Sequence, residues 1–150
     1  MKRILFICLG NICRSPMAAA LFLEMVRREG LSDAFEVDSC ALSREEEGHT
    51  IYPPARTCLK NHGIPIPDHR ARLLTPEDYE TFDLLVVMEP RQIQRAARIT
   101  GGDPQEKIKL LLDYTGEGRA VADPWYTDDF ETAYRDIEAG CKALLEQLKG

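Results

Sequence analysis

The sequence predicts a single α/β domain spanning residues 1–150: a four-stranded parallel sheet with helices on both faces. Three observations lead there. Short, nearly continuous apolar runs alternate along the chain with segments of helical periodicity. Turn chemistry separates them, at Gly30, at His62-Gly63 and at Gly101-Gly102-Asp103-Pro104. No internal repeat, low-complexity tract or linker divides the 150 residues, which are enough to bury one good core.

Arg3 to Cys8 reads as the first strand, apolar without alternation as a strand buried on both faces should be. The opening Met1-Lys2-Arg3, followed by Ile4-Leu5-Phe6-Ile7, superficially resembles a signal peptide. Its apolar stretch is too short, and Gly10-Asn11 and Arg14 interrupt it without a small-residue cleavage site. Ser15-Pro16 opens a helix, with Ser15 suited to the N-cap and Pro16 to the first helical position. Ala19, Leu21, Phe22, Met25 and Val26 supply its apolar side, and Gly30 ends it. Phe35 to Cys40 is the second strand. Pro54 to Asn61 is helical, with His62-Gly63 as its stop. Thr75-Pro76-Glu77-Asp78 has the form of a capping box opening a short helix. Leu84 to Met88 is the third strand, followed by a helix from about Pro90 to Ile99, and Lys107 to Leu112 is the fourth. In the last helix Phe130, Tyr134, Ile137, Cys141, Leu144 and Leu148 step by fours and threes into one core-facing stripe.

Composition narrows the function. Hydrophobic residues make up 44 % and charged residues 29 %, ordinary for a soluble globular protein. A net charge of -6 argues against a nucleic-acid or membrane-surface binder, so an anionic substrate must be captured by a local positive site. No apolar run has the length to span a bilayer, and nothing suggests export, so a cytoplasmic protein is expected. The five cysteines, Cys8, Cys13, Cys40, Cys58 and Cys141, are an odd number without Cys-x-x-Cys or zinc-finger spacing. They read as free thiols, and neither a metal site nor a cofactor is expected.

One of those thiols stands in a chemically telling place. After the first strand comes Cys8-Leu9-Gly10-Asn11-Ile12-Cys13-Arg14-Ser15-Pro16, where a cysteine and an arginine frame five residues and a helix begins at once. Ligands of open α/β sheets bind beyond the carboxyl ends of the strands. A loop there can turn successive backbone N–H groups inward as an anion nest. Gly10 and Asn11 tolerate the left-handed conformations a nest requires. The following helix adds its positive end, and Arg14 can grip two phosphate oxygens with its planar fork. The same field favours Cys8 as a thiolate ready for in-line attack on phosphorus, with Ser15 hydrogen-bonded to the sulfur. The loop lacks the Gly-Lys-Ser/Thr ending of a nucleotide-binding P-loop. Cys-x5-Arg alone is a weak pattern, and a cysteine ending a strand is commonly just a small buried hydrophobe; the strand, Gly-Asn and Arg-Ser-Pro context carries the assignment.

At these residues the sequence resembles the low-molecular-weight protein tyrosine phosphatases, whose phosphate loop it matches throughout. The resemblance continues through Val37-Asp38-Ser39, Tyr52-Pro53-Pro54-Ala55-Arg56, His69-Arg70-Ala71-Arg72, Phe82-Asp83-Leu84 and Asp123-Pro124-Trp125-Tyr126, in the family's order and over essentially the whole chain. It implies the phosphotyrosine protein phosphatase I-like fold and hydrolysis of phosphotyrosine on proteins through a cysteinyl-phosphate intermediate, with inorganic phosphate as product. By resemblance Cys8 is the nucleophile, Arg14 the phosphate clamp and Asp123 the general acid and base. Leu9, Gly10, Asn11, Ile12, Cys13 and Ser15 form the substrate-binding loop, which Asn11, Ser15, Ser39 and His69 fix by hydrogen bonds. From spacing alone, Asp123-Pro124 is an ordinary turn signal.

Trp125 and Tyr126 could wall the cleft and stack a phenyl ring, although core packing is an equal reading for Trp125. Ile12 is expected on the loop's rim, where it would favour a phenyl leaving group; propping the loop from below is its blander role. Cys13 could trap an oxidised Cys8 as a disulfide, or merely pack against the sheet. His49 and His62 read as surface or turn residues, and Arg44-Glu45-Glu46-Glu47 as a solvated loop. That charged run departs from the glycine and aromatic residue that the family often places in this wall. Other activities lie close by. A protein arginine phosphatase uses the same loop but usually carries threonine where Ile12 stands. Arsenate reductase needs relay cysteines near the end of the third strand, and Asp83 to Pro90 has none. A non-catalytic phosphotyrosine-binding module would be expected to lack Cys8 or Asp123, and both are present.

Overall fold

The computed structural model describes residues 1–149. In chain order its main elements are β1 (Lys2–Cys8), α1 (Arg14–Arg28), β2 (Phe35–Ala41), α2 (Pro53–Asn61), α3 (Pro76–Thr81), β3 (Leu84–Val87), α4 (Pro90–Thr100), β4 (Ile108–Leu110), α5 (Pro124–Thr127) and α6 (Phe130–Lys149). The four strands form one parallel sheet in the order β2-β1-β3-β4. Pairing on both edges and helices on both faces explain the unbroken apolar run of β1, where Ile4 to Ile7 are wholly buried. Ile4 and Phe6 enter the core shared with α1, α2 and α6; Leu5 and Ile7 enter the one shared with α3 and α4. The chain leaves β1 for β2 on one side and later returns to β3 on the other. The carboxyl end of β1 is thus a topological switch point, the place where such sheets form a ligand crevice.

The helices follow from their sequences with a few instructive departures. The stripe of α6 is buried as its periodicity predicts, with Leu148 partly so. Gly140 lets α6 close onto Leu111, since a Cβ there would lie 2.5 Å from Leu111 Cγ. Lys107 to Leu112 is not one long strand: β4 has three residues, and Leu111–Thr115 turns into a 3-10 helix beneath α6. β3 stops at Val87 because the N–H groups of Met88 and Glu89 are taken by Gln92 Oε1 at the start of α4. The Thr75–Asp78 capping box of α3 is present. Ser15 is not an N-cap: α1 starts at Arg14, two residues before the expected Pro16, and Cys13 caps it without a side-chain hydrogen bond. The Ser15 hydroxyl is drawn instead into the loop before the helix.

Candidate active site

Residues 9–13 connect β1 to α1 and line a cleft at the switch point, together with Cys8 and Arg14. Asn11, not Gly10, supplies the left-handed backbone, at φ 61°. Asn is among the few side-chain-bearing residues that take this conformation readily, and here the surroundings over-determine it. Wholly buried, Asn11 donates through Nδ2 to Ser15 Oγ (2.8 Å) and Ser39 Oγ (2.9 Å), and its Oδ1 accepts from Arg72 N–H at 3.3 Å. Its carbonyl meets His69 Nε2 at 2.7 Å, and its N–H points to Cys8 Sγ at 3.2 Å. Cys8 Sγ lies 3.0 Å from Ser15 Oγ. Asn11 Nδ2 can only donate, so Ser15 spends an acceptor site there and keeps its own proton for the sulfur. Arg72 in turn is held by Asp78 (2.9 and 3.2 Å) and Asp38 (3.2 Å), which ties the loop to α3 and β2.

Arg14 is buried, yet its charge is answered on one side. Nη1 donates to the Val121 carbonyl at 2.9 Å and Nη2 to Glu89 at 2.6 Å, while Asp123 Oδ2 stands 3.5 Å from Nη2. Among the described residues, Arg14 Nε has no protein acceptor. Burial pushes the Glu89 carboxyl up, but hydrogen bonds and attraction from Arg14 and Arg91 outweigh it and hold it below the usual carboxylate range. Asp123 caps α5 by accepting from Trp125 N–H at 3.1 Å. The segment before it is anchored by Asp136 of α6, which takes a two-pronged bond from Arg119 (2.9 and 3.1 Å) and one from Ala122 N–H (2.9 Å). Glu89, Arg119 and Asp136 carry no sequence motif that points to this role. Glu89 next to Pro90 reads as helix-start chemistry, and its partner Arg14 lies 75 residues away.

The cleft walls bear on several expectations and revise one, the reading of Arg44 to Glu47. Trp125 is not core packing: it is 54 % exposed and leans on Tyr52 with ring centroids 5.2 Å apart. Tyr126 is more exposed still, and both line the cleft. The run from Arg44 to Glu47 is more than a solvated loop, because Glu45 and Glu46 form part of the wall and Glu46 bonds His49 at 2.6 Å. Ile12 lines the same cleft although it is largely buried. His69 has the structural hydrogen bond expected of it.

All five cysteines are free and buried. Burial pushes the Cys13 thiol up to about 12, and the neighbouring Cys8 and Asp123 add to the effect. Burial also raises Cys40 and Cys141 strongly. These three thiols are therefore protonated at neutral pH.

The family described as "Low molecular weight phosphotyrosine protein phosphatase" matches residues 3–150. A human protein of that name is 38 % identical over 151 residues, covering 97 % of this chain and 95 % of its own length. The crystal structure of YfkJ from Bacillus subtilis is similar with a TM-score of 0.95 at 33 % identity, over 99 % of this chain and 95 % of that one. That of DARP, a Drosophila arginine phosphatase, gives 0.89 at 30 % identity, over 100 % and 99 %.

Proposed function

The chain belongs to the low molecular weight phosphotyrosine protein phosphatase family, and from that premise we propose that its single 1–150 domain hydrolyses phosphotyrosine on proteins at the Cys8 loop. The Cys8 thiolate attacks phosphorus in line, forming an S–P bond as the phenolic oxygen leaves. Arg14 and the N-terminus of α1 hold the phosphoryl oxygens and stabilise the charge that spreads over them. Asp123 gives its proton to the departing phenolate, then takes one from the water that cleaves the S–P bond. Inorganic phosphate leaves, and the Ser15 hydroxyl stabilises the sulfur as it regains its charge. Leu9, Gly10, Asn11, Ile12 and Cys13 shape the loop around phosphate; Ser39 and His69 hold that shape; Trp125 and Tyr126 flank the ring.

The observation that carries this reading is the convergence on one sulfur: Cys8 Sγ lies 3.0 Å from Ser15 Oγ and 3.2 Å from Asn11 N, in a cleft shared with Arg14 and Asp123. The test is Cys8→Ser, which should fold normally and lose turnover of p-nitrophenyl phosphate; near-parental hydrolysis would overturn the assignment. A cytoplasmic setting suits five unpaired cysteines. Among the described residues no helix is long and apolar enough to cross a membrane. The net charge of -6 disfavours nucleic acid as substrate or partner.

A second reading, phosphoarginine hydrolysis, is favoured by the two carboxylates in the cleft, Glu45 and Glu46, which suit a guanidinium, and by the similarity to DARP. Ile12 weighs the other way, since it offers an apolar face and no hydrogen bond. Turnover of phosphotyrosine, phosphoserine and phosphoarginine peptides side by side separates the readings.

A further inference from the structure

Away from the phosphate loop, at the seam between α2 and α6, three side chains of metal-ligand type turn toward one another. Cys58 lies on α2, and His62 follows four residues later at the helix C-cap, so the two share one helix face. Glu131 is the second residue of α6. Cys58 Sγ, His62 Nε2 and a Glu131 carboxylate oxygen all lie within 4.8 Å of one another. Sγ is 3.5 Å from Glu131 Oε1; His62 Nε2 is 2.8 Å from Oε2 and 3.1 Å from Oε1. Bonds of about 2.3 Å from zinc to sulfur and about 2.0–2.1 Å to nitrogen or oxygen, at tetrahedral angles, set S and O about 3.5 Å apart and N and O about 3.3 Å apart. The first edge matches as it stands, and the second needs a movement of about half an ångström or less.

We propose that Cys58, His62 and Glu131 bind a dication of the zinc type, at a site separate from the catalytic cleft. Thiolate, imidazole and carboxylate together select zinc, cobalt and their neighbours over magnesium or calcium, which call for oxygen donors throughout. Three protein ligands leave a fourth position for water. The site is held and yet reachable. The His62 ring stacks on Tyr134 with centroids 3.8 Å apart and planes 9° from parallel, which aims Nε2 at Glu131. Cys58 is buried with its thiol directed at the Phe130 carbonyl and Glu131. The His62 and Glu131 side chains are 34 % and 48 % exposed, so an ion enters from solvent. On binding, the Cys58 S–H proton passes to solvent, and sulfur, nitrogen and oxygen each donate a lone pair to the metal.

Occupancy would clamp the first turn of α6 to the end of α2. Phe130, next to Glu131, stacks on Tyr52, and Tyr52 supports Trp125 of the cleft wall. The metal would stabilise this aromatic group, and the reacting atoms would not touch it.

The test is a cobalt(II) titration of the full-length Cys8→Ser protein, in which the loop cysteine cannot compete as a ligand. The expected result is intense tetrahedral d–d absorption with a sulfur-to-cobalt charge-transfer band. The signal should saturate at one metal per chain and be discharged by zinc. Adding Cys58→Ser should remove the charge-transfer band. The exposed changes His62→Gln and Glu131→Gln spare the fold and should each weaken binding by at least about 10-fold, since even outer partners of a ligand are worth that much. Failure to saturate would overturn the site, leaving a His62–Glu131 ion pair beside a buried thiol. So would a cobalt spectrum and affinity left unchanged by His62→Gln and Glu131→Gln, which decide the matter even if Cys58→Ser does not fold.

Discussion

Replacing Glu89 with Gln should cost both stability and catalysis, because Glu89 holds Arg14, the proposed phosphate clamp. The Arg14 and Glu89 side chains are 5 % and 12 % exposed and meet at 2.6 Å. A hydrogen bond to a charged group contributes about 1.5–3 kcal/mol, and the bond a Gln can still accept from the charged Arg14 guanidinium loses the ion-pair attraction and falls to the low end of that range or below. The expected loss is therefore about 1–2 kcal/mol in urea unfolding at pH 7. Glu89→Ala, which leaves a buried guanidinium short of a counter-charge, should lose about 3–5 kcal/mol. Arg14 then keeps the Val121 carbonyl and the more distant Asp123 as its anchors. Misplacing a catalytic group by an ångström can slow a reaction about 100-fold, so kcat/KM on p-nitrophenyl phosphate should fall at least about 10-fold in Glu89→Gln. The pH dependence has a definite sign. Arg14 and Arg91 hold the Glu89 carboxyl below its ordinary value despite burial. Its stabilising effect is present above an unfolded pKa of about 4.3 and is lost as pH falls through the lower folded value. The stability gap between parent and Glu89→Gln should accordingly close in acid below about pH 4. Equal stability and kcat/KM at pH 7, or a gap that persists undiminished in acid, would refute the reasoning.

Asp123→Asn should slow hydrolysis of phenyl phosphates by about 10²–10⁴-fold, with a smaller loss for leaving groups that need no proton; a parental rate on a poor leaving group would reassign the acid. Ile12→Thr should raise the ratio of phosphoarginine to phosphotyrosine turnover by no more than about 200-fold, the reach of one pocket contact, and a fixed ratio would return Ile12 to a purely structural role. Glu45→Gln with Glu46→Gln should reduce by about 2–5-fold any preference for phosphopeptides with a lysine beside the phosphotyrosine over those with a glutamate, as expected for exposed charge pairs; unchanged kcat/KM ratios would remove this wall from substrate choice. Hydrogen peroxide should oxidise the Cys8 thiol to a sulfenic acid and be reduced to water, after which the Cys13 thiol displaces a second water from that sulfur to form a disulfide that thiols reverse. Because burial raises Cys13 to about 12, the recoverable fraction should increase with pH, and mass mapping that finds Cys8 as sulfinic acid with Cys13 free would exclude the bond.

The sequence reports best on what is local. Strand β1, the Thr75 cap and the α6 stripe are legible because burial on both faces, capping and helical period each act within a few residues. The Cys8 loop is legible for the same reason, since Cys8 through Ser15 are contiguous. What escapes reading is set by distant partners. Ser15 has ideal N-cap chemistry, but Cys8, Asn11 and Ser39 build a buried polar cluster that claims its hydroxyl, and the helix starts without it. The fourth strand shortens because Leu111 must fit against Gly140, whose position on α6 no local pattern encodes. Glu89, Asp136 and the group Cys58, His62 and Glu131 pair across 75, 17 and 69–73 residues respectively.

These long-range pairs also bear on how an acidic protein would hold the phosphoryl group of the proposed substrate. With a net charge of -6 and two glutamates in the cleft wall, the mean field repels phosphate. Attraction must come from groups fixed within contact distance, where Coulomb terms in a partly desolvated cleft exceed those of screened surface charges. Arg14 is one such group, and Glu89 orients it without filling its Nε donor. The α1 N-terminus is another, and it is directed at the cleft because Asn11 turns left-handed and is bonded by Ser15, Ser39, Arg72 and His69. Repulsion at the rim and attraction at the base then act on different parts of one substrate. A phosphoryl group carried on a basic segment meets both favourably, whereas an acidic segment bearing the same phosphoryl group must overcome Glu45 and Glu46 to reach Cys8.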